Sequence, residues 1–296
     1  MNKINLQLFA DENVTVSTDL APEISIDHAS RLEGSIKEFQ KVLGITEMIP
    51  MNEGTNIKIY KLTQTNTPAQ AAEGEIIPLT KFDRTVDRTV ELSLKFFRKE
   101  TTAQSIQRVG KDLAINETDE KLISNIQKDI KGDFFASINA GTGSATGTGL
   151  QGTLANIWGE LQTVYEDEDV SPVYFVNPKD VASYLGSAQV SMQQAFGLSY
   201  IQDFLGLGTV IVSPKVTEKK PIGTAKENLN GAYAPAGSGD VGSSLGLKAD
   251  STGFVGMTHY VAHETGNIGS LAMAGVVFYP ELLDGVVVGT ISGTDA

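Results

Sequence analysis

The stretch that decides the fold is Thr85-Val-Asp-Arg-Thr-Val-Glu-Leu-Ser-Leu-Lys-Phe96. Apolar and polar residues alternate along it, and Arg88 is the single break in the apolar row. A period of two is typical of a strand with one buried face, and twelve such residues would reach about 40 Å. The sequence therefore predicts one long strand whose apolar face carries Val86, Val90, Leu92, Leu94 and Phe96.

A partner for this strand lies upstream, where Thr55–Leu62 is also strand-like. The residues from Gln64 to Arg84, rich in Thr, Ala, Gly, Pro and Glu, separate the two strands. A compact domain rarely carries so long a loop unless the loop has a function. We therefore predict an extended β-ribbon over residues 53–100 with a poorly ordered tip.

A two-stranded ribbon is marginal in water, so this one needs another surface to lie on. The sequence offers no obvious surface within the chain. We expect positions near Phe96 to pack on the chain's own helix and positions nearer the tip to pack on a neighbouring molecule. The candidate contacts between molecules are Ile57, Ile59, Val86, Val90, Leu92 and Leu94.

The segment before the ribbon has two parts. Residues 1–27 carry one base, Lys3, against five acids, and they show no apolar periodicity. Two interpretations stay open for them: a frayed terminus, or an arm that orders only on a partner. Within residues 28–52, a short helix is predicted to start near Asp27 or Ser30 and to end at Gly44.

A long helix is predicted after the ribbon, from about 117 to 139, preceded by a short helix over Thr101–Val109. Its apolar residues recur at four-residue steps, so the stripe drifts around the helix and we expect a broad covered face. A helix of this length spans about 35 Å. The run Gly141–Gly149 is predicted to stop it and to form a flexible connector. The residues of the stripe are Leu122, Ile126, Ile130, Phe134 and Ile138.

Short alternating elements follow from Leu150 and predict a mixed α/β domain over 150–253. Leu154–Tyr165 suits a helix, and Val173–Val176 suits a buried strand. Asn177-Pro178 is a turn that starts a further helix, and Thr209–Ser213 suits a second buried strand. The tail, 254–296, is rich in strands, through Met273–Tyr279 and Val286–Ile291.

The composition narrows the class of protein. The chain has 296 residues, 41% of them apolar, so it can bury a core. It has no cysteine, which excludes disulfides and thiolate sites, and its net charge of −13 argues against tight binding of nucleic acid. No window approaches the roughly 18 apolar residues that span a membrane, and the first ten residues do not form a signal sequence.

Motifs for catalysis are weak. His259 and His263 are spaced i, i+4 with Glu264 adjacent, but the order of a zincin is absent and the flanks look like strand and turn. The glycine run lacks the Gly-Lys-Ser/Thr ending of a phosphate loop, and no nucleophile elbow occurs. We therefore predict no catalytic residues, no metal site and no cofactor.

The order of these parts resembles the major capsid proteins of tailed phages with the HK97-type fold. Three stretches are similar to members of that family: Ile4–Ala10, Phe175–Val181 and Gly206–Ser213. The resemblance implies an α+β fold. Its parts would be an N-terminal arm (1–27), a ribbon called the E-loop (53–100), a spine helix in the P-domain (101–149), an A-domain (150–253) and returning terminal strands (254–296).

The resemblance implies a structural function. Many copies would form pentamers and hexamers of an icosahedral shell around double-stranded DNA, in a virion assembled in the host cytoplasm. It also implies a portal and, since no helical scaffolding region precedes the arm, a separate scaffolding protein or assembly without one. Some relatives cross-link a ribbon lysine, but no motif singles out Lys58, Lys61 or Lys81.

Two other classes stay open. One is a different self-assembling phage part, a tail-tube or decoration protein, against which the long helix argues. The other is a metal-dependent hydrolase, which rests only on the pair His259 and His263.

Overall fold

The computed structural model describes residues 37–293, except 38, 46–47, 53, 66–78, 167–168, 187–191, 196–197, 238–239 and 250–252. The predictions for the arm, the start of the first helix and the ribbon tip lie outside these residues. The described part mixes helices and strands in one chain, which confirms the α+β class.

The ribbon comes first along the chain. A helical turn, α1 (39–43), ends at Gly44, whose φ of 81° suits the left-handed position after a helix. Strand β1 (Met48–Pro50) follows, and then β2 (Asn56–Gln64) pairs antiparallel with β3 (Phe82–Glu91) as a separate two-stranded sheet. Each ribbon strand is about 30 Å long.

Next comes the long helix. Strand β4 (Lys95–Thr102) leads into α2 (Ala103–Val109), whose first turn is capped by the Thr102 hydroxyl accepting from Ser105 N. Gly110, with φ 90°, separates α2 from α3 (Lys111–Ile138). Helix α3 therefore starts six residues before the predicted 117, because the break comes from Gly110 and not from a cap near 116–119.

A seven-stranded sheet occupies the second half of the chain, with strand order β5-β16-β10-β6-β9-β8-β7. Helix α4 (Gly149–Val164) packs on β5, β16 and β10. Helix α5 (Pro178–Leu185) starts directly after its cap, Asn177, with proline at its first position as predicted. The strands are β5 (Gly143–Thr148), β6 (Pro172–Val176), β7 (Gln193–Ala195), β8 (Leu198–Ile201), β9 (Thr209–Val212), β10 (Ile222–Ala225) and β16 (Val286–Ser292).

The prediction of a flexible connector at 141–149 was wrong. Residues 143–148 form β5, paired in parallel with β16 from Val287 to Ser292. Gly147 lies against α4 so closely that a Cβ there would be 2.5 Å from Thr153 N. These glycines allow the strand and the helix to pack closely. A glycine-rich stretch can indicate either close packing or a flexible loop, and composition alone does not distinguish the two.

Two smaller sheets complete the fold. One has strand order β1-β11-β15 and the other β12-β13-β14-β4. The predicted strand Met273–Tyr279 is in fact two strands in different sheets, which part at Gly275. Their bounds are β11 (Leu229–Tyr233), β12 (Lys248–Ala249), β13 (Val255–Ala262), β14 (Asn267–Ala274) and β15 (Val276–Pro280), with a short helix, α6 (Asp240–Ser244), before β12.

The core lies where α1, α3, β6 and β15 meet. Five phenylalanines pack there edge to face, with ring centroids 5.3 to 6.5 Å apart. They are Phe39, Phe134, Phe135, Phe175 and Phe278, and each is 1% exposed or less. This confirms the broad covered face of α3, since Phe134 and Phe135 are adjacent on the helix and both are buried.

Candidate functional site

The base of the ribbon packs on its own chain. Ile59 is buried in a cluster with Ala232 and Tyr279, on the face of the β1-β11-β15 sheet. Ile57 and Val90 are half-buried against the same cluster. The expectation that the chain offers no surface for the ribbon was therefore wrong. The surface is built from β11 and β15, which are far from the ribbon in sequence.

A β-bulge divides the ribbon into an inner and an outer half. Ile59 pairs with Arg88, whereas the next residue, Tyr60, pairs with Val86, so Asp87 is the extra residue. An extra residue reverses the alternation of the strand that carries it. Val86 therefore leaves the face that Val90 occupies, and the apolar row seen in the sequence changes sides at this point.

The orientation of the outer half follows from Lys61. Its Nζ lies 2.6 Å from Asp284 Oδ2, in the loop between β15 and β16, so Lys61 faces the body of the protein. Ile59 and Ile57 share that face because they lie two and four residues before Lys61 on the same strand. Tyr60 and Leu62 must then point away from the body.

The outward face of the outer ribbon is apolar. Tyr60 pairs directly with Val86, and Phe82 lies on the same face opposite Gln64. The exposed fractions are 40% for Tyr60, 66% for Leu62, 61% for Phe82 and 50% for Val86. The guanidinium of Arg84 sits 3.6 Å above the Tyr60 ring and covers part of it. We call Tyr60, Leu62, Phe82 and Val86 the ribbon stripe.

The single strand predicted over 85–96 is broken a second time. Strand β3 ends at Glu91 and β4 begins at Lys95, in a different sheet. Leu92 in the gap is 1% exposed, and Leu94 packs against Met273 and Leu247. Beyond the gap the alternation is reversed, so that Phe97 packs on the core while Phe96 is 49% exposed.

The six candidate contacts thus fall into three environments. Ile57, Ile59 and Val90 lie together at the ribbon base, and Leu92 and Leu94 lie under it in the chain's own core. Val86 is the one of the six in the ribbon stripe. The sequence pattern missed Tyr60, Leu62 and Phe82 because their outward face is set by the bulge.

Arg88 occupies the ribbon base as a poorly satisfied cation. Burial lowers the pKa of its guanidinium, partly offset by Asp87 and Tyr279. Its Nε and Nη2 atoms are buried and have no hydrogen-bond acceptor among the residues that the structure describes. Buried donors without acceptors cost free energy. The ribbon base is therefore held by apolar contacts and not by this arginine.

A cavity of about 230 Å³ lies beneath the start of β4. Leu92, Phe97 and Ile130 line its apolar side. Lys95 crosses its rim, with Nζ 2.6 Å from Asp133 and 3.4 Å from Asp129 on α3. This ion pair ties the ribbon's exit strand to the long helix.

The histidines lie on a strand and not on a helix. His259 is in β13, and its Nε2 is 2.9 Å from Asp119 Oδ2 on α3. The partly buried Lys99 of β4 completes a triad, with Nζ 2.7 Å from the other carboxylate oxygen. His263 lies beyond the end of β13 and is exposed, about 13 Å along the strand from His259. Two histidines that far apart cannot chelate one ion.

Asp119 carries charge despite its burial. Burial by itself would raise the pKa of its carboxyl, but hydrogen bonds with His259 and Lys99 outweigh that effect, and the pKa is lowered. Lys99 also donates to the Ile115 carbonyl at 2.9 Å and contacts the Thr118 hydroxyl. The triad therefore joins α3, β4 and β13 as a structural element. Within the described residues, no group of His, Asp and Glu side chains is arranged to hold a metal ion.

Comparison with known proteins finds relatives only by structure. No protein-family model matches the chain, and no curated protein matches it. The SrpI encapsulin of Synechococcus elongatus matches with a TM-score of 0.54 at 12% identity, over 85% of this chain and 86% of that one. The capsid of an empty GTA particle matches with a TM-score of 0.53 at 11% identity, over 88% and 90%.

A phage capsid gives the same result. The mature capsid of bacteriophage PhiM1 matches with a TM-score of 0.53 at 9% identity, over 84% of this chain and 86% of that one. Because these sequence identities are low, the likeness shows the fold and nothing finer. The chain has the HK97-type fold that phage capsid proteins and encapsulins share. No helix among the described residues is long and apolar enough to cross a membrane.

Proposed function

We propose that this protein is the major capsid protein of a tailed phage, whose copies form the pentamers and hexamers of a closed icosahedral shell. The observation that carries the proposal is the ribbon stripe. It presents four apolar side chains on a two-stranded ribbon, on the face turned away from the protein's own body. The HK97-type fold supports the proposal, since the solved structures with this fold include the capsids of a GTA particle and of bacteriophage PhiM1.

The mechanism is burial of the ribbon stripe between copies. Full burial of one side chain of this size stabilises by about 1.5–3 kcal/mol. The inner half of the ribbon anchors it to its own subunit through Ile59 and its neighbours, and the outer half lies on the next subunit. Of the six predicted contacts between subunits, only Val86 is retained in this proposal. Tyr60, Leu62 and Phe82 are added to it as contact residues.

The proposed layout keeps the domains predicted from the sequence. Residues 1–27 act as an arm, the ribbon as the E-loop, α3 as the spine helix, and the seven-stranded sheet as the centre of the A-domain. The protein acts structurally and needs no catalytic site. The proposed partners are other copies, a portal and a separate scaffolding protein, in a virion assembled in the host cytoplasm.

The charge of the chain suits a DNA container. With a net charge of −13, the shell wall repels the phosphate backbone over most of its surface and lets DNA move during packaging. The enclosed double-stranded DNA is therefore held by closure of the shell and not by sequence-specific contacts.

Electron microscopy of the purified full-length chain tests this function. We expect closed round particles together with free capsomers. Tubes would instead indicate a tail-tube protein, and monomers at high concentration would contradict a self-assembling shell. Sedimentation velocity on the same sample gives the fraction of chain in each species.

A second candidate is a shell that carries no genome. The observation that favours it is the match to an encapsulin, whose TM-score of 0.54 is slightly above the 0.53 of the GTA and PhiM1 capsids. Particles isolated from the native host distinguish the two. A phage capsid yields nuclease-protected DNA of one length, whereas an encapsulin-type shell yields none.

A further inference from the structure

The cavity of about 230 Å³ beneath the start of β4 has an apolar floor. Leu92, Ile126 and Ile130 in that floor are each 4% exposed or less. The cavity forms where β3 passes into β4 and β14 passes into β15, since both connections leave one sheet for another beside α3. An apolar cavity of about 150 Å³ holds a benzene ring, so this one accommodates an aromatic side chain.

The rim of the cavity has a negative balance of charge. Among the described residues that line the cavity, Glu91, Asp129 and Asp133 are acids and Lys95 is the base. All three acids are exposed, and Lys95 is shared between Asp129 and Asp133. The group that fits this cavity therefore combines an apolar ring for the floor with a positive charge for the rim.

The ribbon stripe carries that combination. Phe82, at the outer end of the stripe, is 61% exposed. Arg84 lies two residues further along β3, about 7 Å away, and it shares the outward face because its guanidinium covers the Tyr60 ring. Phe82 thus offers the ring, and Arg84 offers the cation beside it.

A chain cannot place Phe82 in its own cavity. Strand β3 runs without interruption from Phe82 to Glu91, and Glu91 lines the cavity. Nine residues of strand separate these two ends by about 30 Å. The ring and the cavity therefore lie at opposite ends of the ribbon, and a contact between them joins two copies.

We propose that the cavity beneath β4 receives Phe82 from the ribbon stripe of a second copy, with Arg84 of that copy against the acids of the rim. The two surfaces differ, so the contact is head to tail, and each copy gives one ribbon and receives another. Contacts of this kind close into rings when the rotation allows it. This inference rests on the proposed function, for which it names the surface that the ribbon stripe contacts.

The first experiment traps the contact with a disulfide. The chain has no cysteine, so single cysteines can be placed at will. Gln64→Cys lies opposite Phe82 on the outward face, and Ser93→Cys lies at the cavity. Mixed in equal amounts under mild oxidation, these two variants should form a disulfide between positions 64 and 93. Thr63→Cys, on the other face of the same strand, is the matched control and should give about a tenth of that yield or less, because disulfide geometry is specific.

Electron microscopy of the same samples scores the shell separately from the contact. Closed particles without the disulfide would overturn the docking contact and leave the shell function standing. The disulfide without closed particles would support the contact and contradict the shell function. Absence of both would overturn both, and equal yields from Gln64→Cys and Thr63→Cys would overturn the assignment to the outward face.

The second experiment exchanges the charges of Arg84 and Glu91. Arg84→Glu brings a carboxylate to the acidic rim and should raise the concentration at which half of the chains associate by about tenfold. Adding Glu91→Arg to Arg84→Glu should restore that concentration to within about twofold of the parent. The two positions are about 24 Å apart on β3, so such a rescue comes from a second copy.

Sedimentation velocity measures this association, and thermal melting identifies variants that fold like the parent. A doubly substituted chain that melts like the parent and associates no better than Arg84→Glu would overturn the proposal.

The chain's own N-terminal segment is the competing occupant of the cavity. Alkylation of Ser93→Cys by a maleimide separates the two cases. Occupation by a second copy should slow alkylation about fivefold as the protein concentration rises through the range of association, by mass action. Slow alkylation that persists at high dilution would indicate the N-terminal segment and overturn the proposal. Fast alkylation at every concentration would overturn it as well.

Discussion

Asp119 and His259 are 140 residues apart in the sequence, yet their side chains meet at 2.9 Å beneath the four-stranded sheet. The carboxylate is 0% exposed and the imidazole 3%. With Lys99 they form the triad that fixes the first half of α3 to β4 and β13. A buried charge is tolerated only when its partners are in place.

The first prediction concerns Asp119 and pH. Because its pKa is lowered on folding, Asp119 stabilises the fold fully above the ordinary value of 3.8, and this contribution is lost as pH falls through the lower pKa of the folded state. Asp119→Asn breaks the buried pair and should cost about 3–5 kcal/mol near neutral pH. Urea unfolding of the unassembled chain between pH 3 and pH 7 measures both effects.

The control for this experiment is Asp169→Asn, at an exposed aspartate. It should unfold like the parent at every pH. The parent should lose stability in acid more steeply than Asp119→Asn does. Parallel curves for the parent and Asp119→Asn would contradict the assignment of acid sensitivity to the triad.

The second prediction separates the two histidines. His259→Ala leaves the buried Asp119 carboxylate short of a donor and should cost about 1–3 kcal/mol. His263→Ala changes an exposed side chain and should stay within about 0.5 kcal/mol of the parent. Denaturant unfolding gives both values. Elemental analysis accompanies it, and stoichiometric zinc that disappears in His263→Ala would revive the metal-dependent hydrolase.

Much of the fold follows from local pattern. The four-residue steps of α3, the Asn177-Pro178 helix start and the buried strands β6 and β9 were predicted, because periodicity and capping act within a few residues. The start of α3 was misplaced because Gly110 breaks the helix. The glycines of β5 were misread because close packing and flexibility select the same residue.

The site was harder to predict because its faces depend on contacts distant in sequence. The alternation around Val90 correctly gave a ribbon with an apolar row. It could not show that Ile59 has Tyr279 to pack on, since β15 is more than 200 residues away. The bulge at Asp87 did leave a signal, the polar break at Arg88, but a polar break does not tell which side chains change face.

The third prediction compares two glycines five residues apart. A Cβ at Gly147 would lie 2.5 Å from Thr153 N, so Gly147→Ala forces β5 away from α4 and should cost about 1–3 kcal/mol. Gly152 lies within α4 with nothing within 4 Å of an added Cβ. Gly152→Ala should therefore stabilise by about 0.5–1 kcal/mol through helix propensity. Thermal melting of both variants tests whether their changes in stability have opposite signs. An unchanged melting temperature for Gly147→Ala would instead favour the interpretation of residues 141–149 as a flexible connector.

The fourth prediction tests the ribbon stripe with two neighbouring residues on opposite faces. Leu62→Glu places a charge in the stripe, opposite Arg84, and Thr63→Lys places a charge on the other face, opposite Asp83. Each new charge meets a cross-strand residue of opposite sign, so neither should weaken the ribbon itself. Both positions are exposed in the single chain, so both variants should melt like the parent.

Assembly should separate the two variants. Leu62→Glu must bury a carboxylate wherever the stripe meets a neighbouring subunit, which costs several kcal/mol per contact. A shell repeats that contact at every subunit, so Leu62→Glu should remain as free subunits or capsomers while Thr63→Lys closes into particles. Sedimentation velocity and electron microscopy at matched concentration measure this. Normal particles from Leu62→Glu would mean that the outward face of the ribbon is not an intersubunit contact, and the proposed capsid function would lose the observation on which it rests.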